Sequence, residues 1–251
     1  MMSERVLELE EVTKIYLSGD RNIYALNNVN LKIKSGEFVV VMGPSGSGKT
    51  TLLNSIAGLT KTEGKIVVNG KLLQELSDNQ KAEIRRKDIG FIFQFYNLHE
   101  GLSAVENIEL PMMISRKYSR IDRIKRSHEL LGMVSMSHRE SNLPYELSGG
   151  EKQRIGIARA FSNDPAIILG DEPTGDLDSK LAGEVIDLLL DLNKRYNKTF
   201  IIVTHDHNIL RKGMRLLKMQ DGTIIDDLII DEDRINDFIL ETESFLKKSQ
   251  N

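Results

Sequence analysis

The chain carries, at residues 43–50, the stretch Gly43-Pro44-Ser45-Gly46-Ser47-Gly48-Lys49-Thr50. This stretch matches the phosphate-loop pattern G-x-x-x-x-G-K-[ST] without deviation. Glycines at this spacing let the backbone curl tightly, so that its N–H groups point inward at phosphate oxygens. Lys49 adds a positive charge, and the Thr50 hydroxyl is placed to ligate Mg²⁺. An apolar run precedes the loop and a predicted helix follows it, and this context favours a phosphate site over an ordinary glycine turn.

The segments around the loop alternate between predicted strands and helices. Phe38–Met42 is a continuous apolar run, typical of a strand buried on both faces. A helix is predicted near Lys49–Ala57 and another at Ser179–Arg195. Further buried strands are predicted at Ile89–Phe93, Ala166–Gly170 and Phe200–Val203. This alternation predicts an α/β fold whose core is a parallel sheet with crossover helices.

Two parts of the chain differ from this core. Alternating apolar residues at Leu7–Leu9 and Val29–Ile33 predict half-buried antiparallel strands. Residues 95–147 are helical in composition, and Ser103–Glu106 fits a capping box that opens a helix. We therefore predict an α-helical subdomain at 95–147, inserted into the α/β core. The tail at 226–251 begins with acidic residues and then predicts a short amphipathic helix that packs on the body.

Two adjacent carboxylates end a predicted buried strand. The segment Ile167–Gly170 leads directly into Asp171 and Glu172. Carboxylates at such a place are costly unless a cation or a substrate lies beside them. In phosphate-loop enzymes an Asp at this position holds the Mg²⁺ shell. Glu172 is then a candidate general base for the water that attacks the γ-phosphate.

A second anion-binding helix terminus is predicted further along the chain. Leu147-Ser148-Gly149-Gly150-Glu151 precedes an apolar-periodic helix that extends through Phe161. A helix that opens with Ser-Gly-Gly presents free backbone N–H groups. Because one active site has no obvious need for two phosphate cradles, this one is expected to serve a neighbouring subunit.

With these motifs in order, the chain resembles the ATP-binding cassette (ABC) ATPases over residues 5–225. Gly43–Thr50 resembles the Walker A loop of that family, and Ile167–Glu172 resembles its Walker B segment. Leu147–Glu151 resembles the family's signature. The remaining matches are Tyr16 as the adenine-stacking aromatic, Gln94 of the Q-loop, Gly175–Asp178 of the D-loop and His205 of the H-loop. The resemblance implies a cassette domain at 1–225 with a phosphate-loop NTPase core of mixed or parallel sheet, an N-terminal antiparallel β subdomain, the helical subdomain and an extension at 226–251.

The resemblance implies ATP and Mg²⁺ as ligands. Thr50 and Gln94 would ligate the metal, and Asp171 would support it through water. The implied catalytic residues are Glu172 as the base, His205 as a contact to the γ-phosphate, Gln94 and Lys49. The implied ATP-binding residues are Tyr16, Gly43, Pro44, Ser45, Gly46, Ser47, Gly48, Lys49, Thr50 and Thr51.

The resemblance also implies a second copy of the cassette. Such cassettes work as head-to-tail pairs with two ATP molecules between them. Ser148, Gly149 and Gly150 would close on the ATP of the opposite subunit, and Asp178 would couple the two sites. Glu151 replaces the Gln that is most common after the signature glycines, and Asp176 replaces a small residue often seen in the D-loop.

Within the family, several short segments resemble the macrolide-export and lipoprotein-release branch. They are Tyr24–Leu26, Gln94–Leu98, Glu106–Pro111 and Gly170–Gly175. The function implied is that of the ATPase subunit of a transporter or exporter that drives a separate integral membrane permease. Two alternatives stay open: a non-transport regulator such as a cell-division signal transducer, and a soluble ATPase of DNA repair or translation. The second usually carries coiled-coil insertions, zinc modules or tandem cassettes, which this sequence lacks.

Composition excludes several other kinds of protein. The 251 residues include 34 Lys plus Arg and 37 Asp plus Glu, a net charge of −3, whereas nucleic-acid binders usually carry a basic excess. The absence of Cys excludes disulfide frameworks, Cys-ligated zinc, iron–sulfur clusters and thiol catalysis. No apolar run approaches the roughly 18 to 20 residues that span a bilayer, and no apolar signal region opens the chain. We therefore expect a cytoplasmic protein, held at the inner face of the membrane by the permease.

Overall fold

The computed structural model describes residues 5–19, 21–231 and 235–248. The strands in these residues are β1 Arg5–Ser18, β2 Arg21–Lys34, β3 Phe38–Met42, β4 Glu63–Val68, β5 Lys71–Leu72, β6 Ile89–Phe93, β7 Ile167–Asp171, β8 Thr199–Thr204, β9 Arg215–Gln220 and β10 Thr223–Ile229. The α-helices are α1 Lys49–Ile56, α2 Asp78–Lys87, α3 Ala104–Ser115, α4 Arg120–Met133, α5 Gly149–Ala160, α6 Ser179–Tyr196 and α7 Ile235–Lys248.

The strands form two sheets. The first is antiparallel with the order β2-β1-β4-β5, and Leu9 on β1 lies opposite Leu31 on β2 and Ile66 on β4. The second has the order β10-β9-β3-β8-β7-β6, in which only the β10–β9 pair is antiparallel. The predicted antiparallel N-terminal strands and the predicted parallel core are both confirmed.

Strand β3 is buried on both faces, as its apolar run predicts. Val39 and Val41 pack into a core that also contains Leu7 and Leu9 of the first sheet. The alternate residues Val40 and Met42 pack into a second core, formed with the helices on the other side. Strands with two buried faces read as continuous apolar runs because neither set of side chains meets water.

The segment at 95–147 contains α3, α4 and two 3₁₀ turns, Ser137–Arg139 and Pro144–Glu146, and no strand. Helix α3 packs against α4 and α5. The capping box predicted at its start is present, since the Ser103 hydroxyl accepts from the Glu106 N–H and the Glu106 carboxylate accepts from the Ser103 N–H. Among the described helices, none has the length and apolar character to cross a membrane.

The parallel strands bring three chain segments to one edge of the second sheet. Met42 at the end of β3 pairs with Thr204 at the end of β8, and Asp171 at the end of β7 pairs with Val203. The residues that follow these ends are therefore neighbours in space. In open α/β sheets this edge, outside the carboxyl ends of the strands, is where ligands bind.

Candidate nucleotide site

The phosphate loop connects β3 to α1, and its glycines are required by close backbone contacts. A Cβ atom on Gly43 would collide with the carbonyl oxygen of Met219. Gly48 is the N-cap of α1 with φ of 102°, and a Cβ atom there would collide with the carbonyl oxygen of Ala25. The loop therefore fits against β9 and β2 only with glycine at both positions, and α1 directs its free N–H groups into the loop.

Lys49 at the start of α1 is folded back over the loop. Its Nζ donates to the carbonyl oxygens of Gly43 at 2.8 Å and Pro44 at 2.9 Å. Burial lowers the pKa of the Lys49 ammonium, and the charges of Glu172 and Asp171 oppose that shift. The Lys49 ammonium is thus already held within the loop.

Asp171 at the end of β7 faces the first turn of α1. The Thr50 hydroxyl Oγ1 lies 3.5 Å from Asp171 Oδ1. Burial and, next, the charge of Glu172 raise the pKa of Asp171 above its usual value. The partly buried Asp171 carboxylate, the exposed Thr50 hydroxyl and the neighbouring Glu172 carboxylate form a set of hard oxygen donors that suits Mg²⁺.

Glu172 is held by the segment that follows β8. Its carboxylate Oε1 lies 2.9 Å from Nδ1 of His205, and its Oε2 accepts from the His205 N–H at 3.3 Å. The Glu172 N–H donates to the Val203 carbonyl oxygen, and the residue adopts a positive φ of 48°, which is uncommon for a non-glycine residue. The Glu172 side chain is 17% exposed, whereas that of His205 is 68% exposed. A largely buried carboxylate that His205 contacts at both oxygens is suited to accept a proton at a defined place.

Lys49, Thr50, Glu172 and His205 border one cavity of about 610 Å³, whereas Gly43 and Asp171 are not among its lining residues. Its described lining residues are Tyr16, Ile23, Ala25, Pro44, Ser45, Gly46, Gly48, Lys49, Thr50, Thr51, Glu172, His205 and Leu246. Tyr16 lies opposite Ile23 in the β1–β2 hairpin, with the Lys14 Nζ 4.8 Å from the centre of its ring. The cavity therefore combines an aromatic ring with the phosphate loop and the proposed base.

Other predicted site residues lie outside this lining. Gln94 follows β6 and packs against Gly175 of the predicted D-loop. Ser148 caps α5, and Asp178 caps α6 by accepting from the N–H groups of Lys180 and Leu181, each at 3.0 Å. Within the described chain the predicted signature therefore does not reach the nucleotide cavity.

The contacts of Glu151 at the start of α5 show what this residue does where the family most often has Gln. The Glu151 carboxylate accepts from the N–H and the hydroxyl of Ser148, both at 2.8 Å, and its other oxygen accepts from Arg139 at 2.9 Å. The Ser148 N–H is the main group that lowers the pKa of Glu151. Ser148–Glu151 is thus a capping box that a charged Glu completes.

Residues 26–175 of the chain match the model of a protein family described as ABC transporter. The chain belongs to the ABC transporter family. It is an ATP-binding cassette with the ATPase machinery of that family, and the resemblance stated above is confirmed.

Similar proteins agree on this assignment. The ABC transporter ATP-binding protein MJ0796 of Methanocaldococcus jannaschii is 48% identical over 223 residues, which are 87% of this chain and 95% of that protein. The lipoprotein-releasing system ATP-binding protein LolD of Francisella tularensis is 40% identical over 89% of this chain and 97% of that protein. The macrolide export ATP-binding/permease protein MacB of Mannheimia succiniciproducens is 42% identical over 88% of this chain but only 34% of its own length.

A solved structure shows the same fold. The dimer of MJ0796 in a post-hydrolysis state, bound to ADP and Pi, matches with a TM-score of 0.80 and 44% identity, over 89% of this chain and 98% of that chain. The mixed α/β cassette fold predicted from the sequence is therefore confirmed.

Proposed function

We propose that the chain is the ATP-hydrolysing subunit of a transporter or exporter, acting as a head-to-tail homodimer that drives a separate membrane permease. The observation that carries the proposal is the single cavity that joins the phosphate loop, the Glu172–His205 pair and Tyr16. In this proposal the loop N–H groups and Lys49 bind the phosphates, and Tyr16 stacks on the adenine.

ATP hydrolysis requires a group that accepts the proton of the attacking water and positive charge that offsets the negative charge on the phosphate oxygens. Glu172 accepts the proton of the attacking water, and His205 orients Glu172 while presenting its exposed ring to the cavity. Thr50 and Asp171 are the residues that would hold Mg²⁺, with Gln94 approaching from the end of β6. When bound, the ion would offset the charge that develops on the phosphate oxygens.

The position of Ser148 supports a dimer. The predicted signature lies away from its own nucleotide cavity but presents a capped helix N-terminus, which suits an anion on a second subunit. The relative MJ0796 is dimeric when bound to ADP and Pi. Two copies arranged head to tail would place each signature on the partner's nucleotide.

We expect Ser148→Arg to lower the rate of ATP turnover by at least about 100-fold, while the ATP affinity of the monomer changes by less than about twofold. A bulky cation there blocks closure of the partner subunit but touches no group of its own cavity. The matched control is Ser103→Arg, which removes the equivalent capping box of α3 at a similar cost of about 1 kcal/mol. Steady-state phosphate release and nucleotide titration measure both quantities, and a large loss of monomer affinity would show that the signature acts in its own subunit.

A cleft of about 420 Å³ between α2, β6, α3 and the end of α5 is the proposed docking site of the permease. Its lining is mostly apolar and includes Phe91, Phe93 and Ile114, of which Ile114 is 56% exposed. Arg85, Arg86 and Arg159 also line it. Strand β6 forms one wall and leads directly into Gln94. A cytoplasmic helix of the permease seated in the cleft would therefore be connected to the nucleotide site by one strand, and would hold the cassette at the inner face of the membrane.

The test is reconstitution in liposomes with the membrane proteins encoded beside the gene. A cognate permease is expected to change the ATPase rate several-fold, and Ile114→Asp to remove that change without altering the rate of the isolated cassette, because a charge in the cleft opposes docking. Ile121→Asp is the matched control, since Ile121 is 80% exposed on α4 and does not line the cleft. If no permease changed the rate, the transport proposal would be wrong.

A further inference from the structure

Helix α7, in the extension after β10, packs close to the nucleotide cavity. It lies against the 3₁₀ turn His207–Ile209, which begins two residues after His205. Ile239 of α7 contacts the core that contains Ile209, Leu210 and Met214. The extension is therefore attached to the segment that carries the H-loop histidine.

The spacing of buried residues shows which face of α7 is docked. Ile239 is partly buried, Thr242 is fully buried and Leu246 is 9% exposed, whereas Leu240 is 63% exposed. Positions 239, 242 and 246 fall on one side of an α-helix. The helix thus presents a defined face to the body of the cassette.

An ion pair joins α7 to the strand that supports the phosphate loop. Lys218 on β9 has a side chain only 10% exposed, and its Nζ lies 3.9 Å from the Glu241 carboxylate and 3.3 Å from that of Asp226. The next residue, Met219, is the one whose backbone packs on Gly43. The attachment of α7 is thus adjacent in sequence to the contact that shapes the loop.

Leu246 extends this docked face into the nucleotide cavity. It lines the cavity together with Tyr16 and Ile23, the aromatic and aliphatic side chains of the β1–β2 hairpin. Lys49, Thr50 and Glu172 supply the charged and polar lining. If the phosphates of a nucleotide occupy the loop, the base lies beside these apolar side chains. Apolar contact on both faces of a planar base stabilises its binding.

We infer that Leu246 contacts the nucleotide base, so that α7 is part of the nucleotide-binding site and its docking is linked to ATP binding. The inference rests on the proposed function, since it requires that ATP occupies this cavity. The linkage is reciprocal: if α7 tightens the binding of ATP, then ATP stabilises the docked position of α7 by the same factor. Inorganic tripolyphosphate, which has no base, would lack this linkage.

The test compares Mg-ATP with magnesium tripolyphosphate by calorimetric titration of the full chain. We expect Leu246→Ala to weaken ATP binding roughly tenfold, the factor that corresponds to the loss of part of a buried Leu contact. Tripolyphosphate affinity should change by less than about twofold. Leu240→Ala, on the exposed face of the same helix, should leave both affinities unchanged, and Leu246→Met should bind ATP nearly as the natural chain does.

Backbone amide exchange supplies a second measurement. ATP is expected to slow exchange in residues 239–246 of the natural chain, and tripolyphosphate is expected to slow it much less. Equal ATP affinity in Leu246→Ala and the natural chain, equal losses for both ligands, or tighter ATP binding by Leu246→Ala would each overturn the inference. A natural chain that bound no ATP would instead overturn the proposed function, so the two failures are distinguishable.

Discussion

Glu172→Gln is expected to lower steady-state ATP hydrolysis by about 100- to 1,000-fold while ATP binding is retained. The amide has nearly the same shape but does not accept a proton, and general-base contributions are of this size. The phosphate loop and Lys49 do not change, so ATP affinity should stay within a few-fold of the natural value. Phosphate release and nucleotide titration measure the two quantities on one preparation.

The matched control for this variant is Glu129→Gln. Glu129 lies on α4, and its carboxylate is 60% exposed and 4.0 Å from Lys125. Its amide variant should hydrolyse ATP at the natural rate. If Glu172→Gln kept more than about a tenth of the natural rate, Glu172 would not be the base and its short contact with His205 would need another explanation.

Lys49→Met is expected to weaken ATP binding by about 100-fold or more. The side chain keeps a similar length and apolar stem but loses the ammonium that now donates to Gly43 and Pro44. A charge-assisted contact to a phosphate is worth about 1.5–3 kcal/mol, and one Lys makes several such contacts. Titration with ATP measures the loss.

Lys65→Met is the control for a change of net charge. Lys65 lies on β4 with a side chain 66% exposed, and it pairs only loosely with Glu10 at 3.3 Å. Its variant should bind ATP as tightly as the natural chain. Equal, small losses in both variants would show that general electrostatic attraction, and not the position of Lys49 in the loop, determines affinity.

The sequence was informative where one segment alone decides its structure. The apolar run at Phe38–Met42 and the glycine pattern after it predict β3, the loop and α1, because burial on both faces and tight turning leave few other choices. The capping box predicted at Ser103 is likewise local, since it joins residues three positions apart. The sequence predicted that a helix starts at Ser148, but not the capping box that the structure shows there.

What the sequence did not reveal depends on contacts between distant segments. Strands β9 and β10 were not predicted, although Met219 on β9 closes against the phosphate loop. Leu246 enters the cavity from more than 70 residues beyond Glu172, and its helical spacing indicated only that α7 packs somewhere. The pairing of His205 with Glu172 also arises only when β7 and β8 align. No short sequence pattern predicts these contacts between distant segments.

The dimer is tested by the mass in solution of Glu172→Gln, measured by light scattering with and without saturating Mg-ATP. Because this variant is expected to bind ATP and to hydrolyse it only slowly, the proposed sandwich should accumulate. We predict a 28.4 kDa monomer without nucleotide and a particle of about twice that mass with ATP. Adding Ser148→Arg to the same chain should restore the monomer. A Glu172→Gln protein that binds ATP and stays monomeric at saturation would contradict the head-to-tail mechanism.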